Sequence, residues 1–228
     1  MSILIAAGCS AAETPGDLRV EVKQLASRKV LRFLDAASFA PFAMAVKVYR
    51  ENPVCPPEDV ALYTLSGWDG DMPDQPFTPD GSTAQDTELS KHILEDANPV
   101  VWLRMLANNA LCQVSIAEGF RGPNAHFVGD APALGHALAA AVDDLRSGAA
   151  GLALIVAYDP APEARRNPSG RAPTRAAAIA LTEGAGIDLT ARLFELTDRV
   201  AATGGSALTA IESCLADQAS SAALRSAR

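Results

Sequence analysis

Aromatic residues make up only 5% of this 228-residue chain, cysteine occurs four times and histidine three times. With so few rings, apolar burial has to come mostly from Ala, Leu and Val, which suit close packing of helices on a sheet. Cys9, Cys55, Cys112 and Cys214 lack C-x-x-C spacing, and His92, His126 and His136 form no ligand pair. Neither a structural zinc site nor a disulfide scaffold is therefore indicated, and no metal or cofactor is expected. Cations are outnumbered too: 19 Lys plus Arg against 27 Asp plus Glu leave a formal charge of −8. A general binder of nucleic acid or anionic membrane needs surplus cations, so neither is expected as a partner. No run approaches the ~20 apolar residues of a membrane span. A small residue precedes Cys9, as at a lipoprotein cleavage site, but there is no Lys or Arg in front and the apolar run is too short for an export signal. A soluble, cytoplasmic chain with reduced thiols is the expectation.

What is present alternates between short apolar runs and helical periodicity, over one domain spanning 1–228. Ile3 to Ala7 reads as a strand. Ser38 is a fair N-cap for a helix whose Phe42, Ala45, Val46 and Tyr49 share one face. Asp59 to Leu65 reads as a strand ending at Gly67. Residues 68–85 read as an exposed acidic loop, and Glu51 to Ser90 holds nine acidic residues with no Lys or Arg. A long helix is expected next, burying Leu103, Leu106, Ala107, Ala110, Leu111, Val114 and Ala117 and stopping at Gly119. Ala125 to Val128 is a short strand, and Asp130 can cap a helix that buries Leu134, Leu138, Ala141, Val142 and Leu145 before Gly148. Gly151 to Tyr158 is a continuous apolar run, as in a strand covered on both faces. Residues 125–158 thus form a βαβ unit with parallel strands. Residues 160–175, with four prolines and four arginines, read as a mobile basic loop. Ala176 to Thr182 reads as a strand, Leu189 to Ala201 as an amphipathic helix, and about 218–228 as a fraying tail. The class is α/β.

Familiar nucleotide and hydrolase motifs are missing. There is no G-x-x-x-x-G-K-[S/T] and no G-x-S-x-G, and Gly204-Gly205 reads as a turn between helices. Asp143-Asp144 reads as solvation on a polar helix face, and Cys112 as a buried structural thiol.

The stretch from Asn98-Pro99 through Asn108 and the turn Gly122-Pro123-Asn124 to Gly148 and the strand after Gly151 resembles the N-terminal half of β-ketoacyl synthases, the condensing enzymes of fatty-acid and polyketide synthesis. The likeness covers roughly residues 30–160. It implies a thiolase-like half, a βαβαβ-type layered sheet with helices on its faces. It places the family's nucleophile at Ala131, just after Asp130. A methyl group cannot attack a thioester, so no acyl-enzyme can form there. The family's second half, with its two histidines for decarboxylation, has no counterpart here. The sequence therefore looks like a truncated, chain-length-factor-like relative, as in aryl-polyene and type II polyketide clusters. By that resemblance Ala125, His126, Phe127 and Val128 would pair with a partner strand, and Met105, Asn108, Asn109 and Cys112 would face the acyl tunnel or the partner. The partner would be a ketosynthase or a second copy of the chain. An acyl carrier protein is a further candidate, for which Arg165, Arg166, Arg171 and Arg175 are the basic residues considered; such carriers are acidic, and the Glu51–Ser90 region would repel them. Two other readings are an acyl-transferring enzyme using Cys112 or Ser115, and a small-ligand binding protein.

Overall fold

The computed structural model describes residues 2–13, 15–52, 55–67, 87, 88, 90, 91, 100, 103, 104, 106–160, 174–184 and 190–226. The expected acidic loop at 68–85, His92, Asn98-Pro99, Met105, Arg165, Arg166 and Arg171 lie outside them. The elements are β1 (Ser2–Glu13), α1 (Pro15–Leu25), α2 (Arg28–Phe33), α3 (Phe39–Glu51), β2 (Val60–Ser66), α4 (Asn109–Glu118), β3 (Asn124–Val128), α5 (Ala131–Ser147), β4 (Leu152–Pro160), β5 (Thr174–Gly184), α6 (Thr190–Ala202) and α7 (Ala207–Ser226). The segment expected to fray is helical as far as Ser226.

Five strands form one sheet in the order β1-β5-β4-β2-β3. β2 runs parallel to both β4 and β3, whereas β5 is antiparallel to β4 and to β1. The βαβ reading of residues 125–158 is therefore amended. Its two strands are parallel, but β2 lies between them, so α5 carries the chain over a strand made earlier. Side chains alternate along each strand to opposite faces. Ala61, Tyr63 and Leu65 of β2 join Ile155, Ile179 and the helices α5, α6 and α7 in one cluster. Val60 and Leu62 join Leu154, Val156, Ala178 and the helices α1 to α4 in the other. The result is a three-layer α/β/α arrangement with β2 buried along its whole length, as its continuous apolar run requires.

Small residues set the layer spacing. Ala176, Ala177, Ala178 and Ala180 of β5 are fully buried, and with no bulk above the sheet the helices approach closely. Tyr63 hydroxyl donates to Asp144 of α5, so Asp144 is a strut between layers and not the solvated carboxylate expected. Burial, and after it that carboxylate, hold the Tyr63 phenol well above its usual range.

The long helix expected from Leu103 onward is interrupted: Leu103 and Arg104 are helical, Leu106 to Asn108 are not, and α4 begins at Asn109. Leu103 and Leu106 stay 45% and 48% exposed. Asn109 side-chain Nδ2 donates to the carbonyl of Leu103 at 2.8 Å. Asparagine competes with helical backbone bonding in this way, which breaks a pattern that periodicity alone would continue.

The turn before β3 is set by one close approach. A Cβ on Gly122 would lie 2.5 Å from the carbonyl oxygen of Val60 and 2.8 Å from its carbon, while Leu62 N–H donates to Pro123 at 2.9 Å. Only glycine allows this backbone-to-backbone contact. Gly122→Ala should therefore cost about 1–3 kcal/mol, because rigid main chain must move. Urea denaturation followed by circular dichroism checks it; a variant as stable as the parent would mean that the turn can shift freely.

Candidate functional site

Strand β3 lies at the edge of the sheet, in register with β2 from Leu62–Asn124 to Ser66–Val128. Among the described residues its outer edge has no strand partner. Its side chains are half-buried at Ala125, His126 and Phe127, whereas Val128 is 52% exposed. Gly129, with φ +148, turns the chain out of the strand while its N–H still donates to Ser66 at 2.9 Å. Asp130 takes the N-cap position of α5 without a side-chain cap bond, and Pro132 sits in the first turn. Ala131 therefore occupies a strand-to-helix corner and is 0% exposed. The helix presents its positive N-terminal end here, but the side chain at the corner is a methyl group.

On the α4 side of the sheet a set of polar groups gathers toward the C-terminal ends of β2, β3 and β4. Thr64 Oγ1 and His126 Nδ1 are 2.8 Å apart. Tyr158 hydroxyl donates to the carbonyl of Ala107 at 2.8 Å, tying β4 to the start of α4. Asn109, only 2% exposed, donates from Nδ2 to Phe33 at 2.9 Å as well as to Leu103. Among the described residues, the buried atoms Ser38 Oγ, Asn109 Oδ1 and His126 Nε2 have no hydrogen-bond partner. Burial lowers the His126 imidazole to about 4, so it is neutral at physiological pH and cannot act as a standing cation.

The anticipated site residues separate into distinct surroundings. Asn108 is the half-buried N-cap of α4 and Asn109 the first residue within it. Asn109 turns inward, its Nδ2 donating to the carbonyls of Phe33 and Leu103. Cys112 is half-buried on α4, and desolvation pushes its thiol up; fewer thiolates form, which opposes nucleophilic use. Arg175 lies within β5 and its guanidinium pairs with Glu212 of α7. Gly122, Pro123 and Asn124 form the tight turn feeding β3. Among the described residues no group of three or more His, Cys, Asp or Glu could hold a metal ion, and no helix is long and apolar enough to cross a membrane. Sequence reasoning passed over the His126–Thr64 pair, because the two residues are 62 positions apart and only strand register joins them.

No family profile and no curated protein matches the chain by sequence. Solved structures do resemble it. One is a chain from the complex of a type II polyketide synthase acyl-carrier protein with its ketosynthase bound to the hexaketide. Identity is 16% and the TM-score 0.53, over 80% of this chain and 62% of that one. This chain therefore spans less than two thirds of that neighbour. Another comes from the complex of a ketosynthase with its chain length factor from Xenorhabdus doucetiae, with 12% identity and a TM-score of 0.50 over 82% of this chain and 81% of that one. At such identity the likeness concerns the fold: the chain adopts a ketosynthase-like, thiolase-type α/β fold.

The His126 imidazole has a stability consequence. In the unfolded chain histidine titrates near about 6.5, against about 4 in the fold. Between those values the unfolded state binds more protons, so stability falls as pH drops through this window and is fully present above it. His126→Gln should flatten that limb. Urea midpoints at pH 7, 5.5 and 4.5 read it, and parallel curves for parent and variant would refute the assignment.

Proposed function

We propose that this protein is a non-catalytic, chain-length-factor-like subunit that associates with a ketosynthase in fatty-acid or polyketide-type biosynthesis. The carrying observation is the methyl group of Ala131 at the corner where β3 enters α5. Covalent condensation needs a nucleophile able to take the acyl group from a thioester, and alanine offers none. The thiol nearest in sequence, Cys112, is kept protonated by burial, which counts against the reading as an acyl-transferring enzyme.

Association through β3 is supported by the strand's outer edge, which has no strand partner among the described residues. Unpaired backbone donors and acceptors at an edge favour addition of another strand, and Val128 places an apolar side chain at its exposed end. The fold also supports the reading, since one structural neighbour belongs to a complex of a ketosynthase with its chain length factor and matches over about four fifths of both chains. A second copy of this chain could use the same edge, and a homodimer is the rival arrangement. An acyl carrier protein is the further partner this reading implies.

Size exclusion of the protein co-expressed with a type II polyketide ketosynthase from its own source should give one heteromeric peak. Val128→Lys puts a charge on the edge at an exposed position, so it should weaken assembly at least about tenfold while leaving the melting temperature of the isolated chain nearly unchanged. Separate peaks at micromolar concentration, or a variant that assembles like the parent, would remove the proposal. Intact mass spectrometry after incubation with an acyl thioester should show no adduct; a stable one would favour the enzymatic reading.

A further inference from the structure

The sheet has a second edge. In the order β1-β5-β4-β2-β3, β1 lies farthest from β3, and among the described residues its only strand partner is β5. β1 is 12 residues long, against five for β3, and pairs with β5 from Ser2–Gly184 to Glu13–Thr174. Helices α3 and α7 lie against it from the two sides of the sheet. What β1 turns outward in the plane of the sheet is therefore main chain, a row of alternating N–H and C=O groups that another strand can satisfy.

Natural proteins blunt such an edge by keeping it short, or with Pro, Lys, other charges or a bulge. The twelve residues of β1 include no Pro, Lys or Arg, and their single charge is Glu13 at the last position. On a chain of net charge −8 that neutrality stands apart. One irregularity falls between Ile5 and Ala7. A bulge bends a strand locally, and beyond this one Ala7–Glu13 runs on without interruption.

We propose that β1 pairs antiparallel with β1 of a second copy of this chain, through Ala7–Glu13 and about a two-fold axis at Ser10. A neutral strand gives a foreign partner no charge to recognise, whereas it is complementary to itself. The axis stands perpendicular to the sheet, so each helical layer stays on its own side and meets the same layer of the other copy. In this register Glu13 lies opposite Ala7, and the two Glu13 residues sit at opposite ends of the pair, about 20 Å apart at about 3.4 Å per residue. A parallel pair would set Glu13 beside Glu13, where like charges repel. The inference goes beyond the subunit reading, since β1 and β3 are opposite edges and the β1 pair forms whether or not β3 takes a ketosynthase.

Sedimentation velocity of the full chain alone at micromolar concentration should show a dimer. Successive N–H groups of β1 alternate between β5 and the outer edge, so Ser10→Pro and Ala11→Pro are both made. Whichever removes the outward N–H should keep the parent's melting temperature, because Pro is tolerated there, and should dimerise at least about tenfold more weakly. The register is read by a disulfide. In the double variant Cys9→Ser, Ser10→Cys the two copies of residue 10 lie opposite each other at about 4.5–5.5 Å, within disulfide reach. Mild oxidation should crosslink it and leave Cys9→Ser alone uncrosslinked. A parent that stays monomeric across the micromolar range would overturn the proposal, as would a fold-preserving proline variant that dimerises like the parent. Should both proline variants lose stability, the crosslink decides, and its absence overturns the pairing. Val128→Lys should sediment like the parent; a monomeric Val128→Lys would place self-association at β3 and overturn the β1 pair while leaving the β3 reading in force.

Discussion

Strand β2 is buried on both faces and hydrogen-bonded along both edges, and this double engagement sets the position of every feature tied to function. Its register with β4 and β3 puts Ser66, Val128 and Tyr158 side by side at the C-terminal end of the sheet. From there β3 turns at Gly129 into α5 and places residue 131 at the corner. The close passage of Gly122 beneath Val60 delivers β3 to that register. Because β2 occupies the interior, β3 is left at the boundary of the sheet, its outer side without a strand partner among the described residues. Its edge position is thus a consequence of strand order, not of anything local to residues 124–128.

The two faces of the sheet are held by different means. On the α5–α7 side the packing is largely aliphatic, with the Tyr63–Asp144 bond crossing the layer. On the α1–α4 side polar groups are mixed into the apolar cluster, and they fasten loops to the sheet end: Tyr158 to Ala107, Asn109 to Phe33 and Leu103. Buried polar groups of this kind specify one arrangement, because an alternative packing would leave them unsatisfied. Arg50 bonded to Glu118 at 2.7 Å closes the opposite end of the same layer, joining α3 to α4. The cations that pair are those between elements. Among the described residues, Lys47, Arg50, Arg175 and Arg192 form such pairs.

The corner at Ala131 shows how a fold and a chemistry can part. The geometry that exposes a nucleophile in condensing enzymes, a strand running straight into a helix N-terminus, is built here from backbone: Gly129, Pro132 and the buried stripe of Leu134, Leu138 and Leu145. None of that depends on the side chain at 131. A methyl group there packs into the core and leaves the frame intact.

Much of the secondary structure was legible in sequence, because it depends on local signals. The apolar stripe of α5 between Asp130 and Gly148, the continuous run of β4, and the small-residue content of β5 are each readable from neighbouring residues. So was the likeness of the Gly122–Pro123–Asn124 turn and its spacing to condensing enzymes. Failures arose where a distant partner competed. Asn109, bonded to Phe33 and Leu103, follows the break in the expected helix at Leu106 to Asn108. Asp144 found Tyr63 across the layer, and His126 found Thr64. The sequence by itself determined the strands β2, β4 and β5, the helix α5 and that residue 131 carries no nucleophile, since these follow from side-chain type and period. Strand order was decided by tertiary structure alone, and with it the edge position of β3, the His126 pairing and the convergence of Arg104 on Arg32, because hydrogen bonds between strands and loops depend on which segments are adjacent in space.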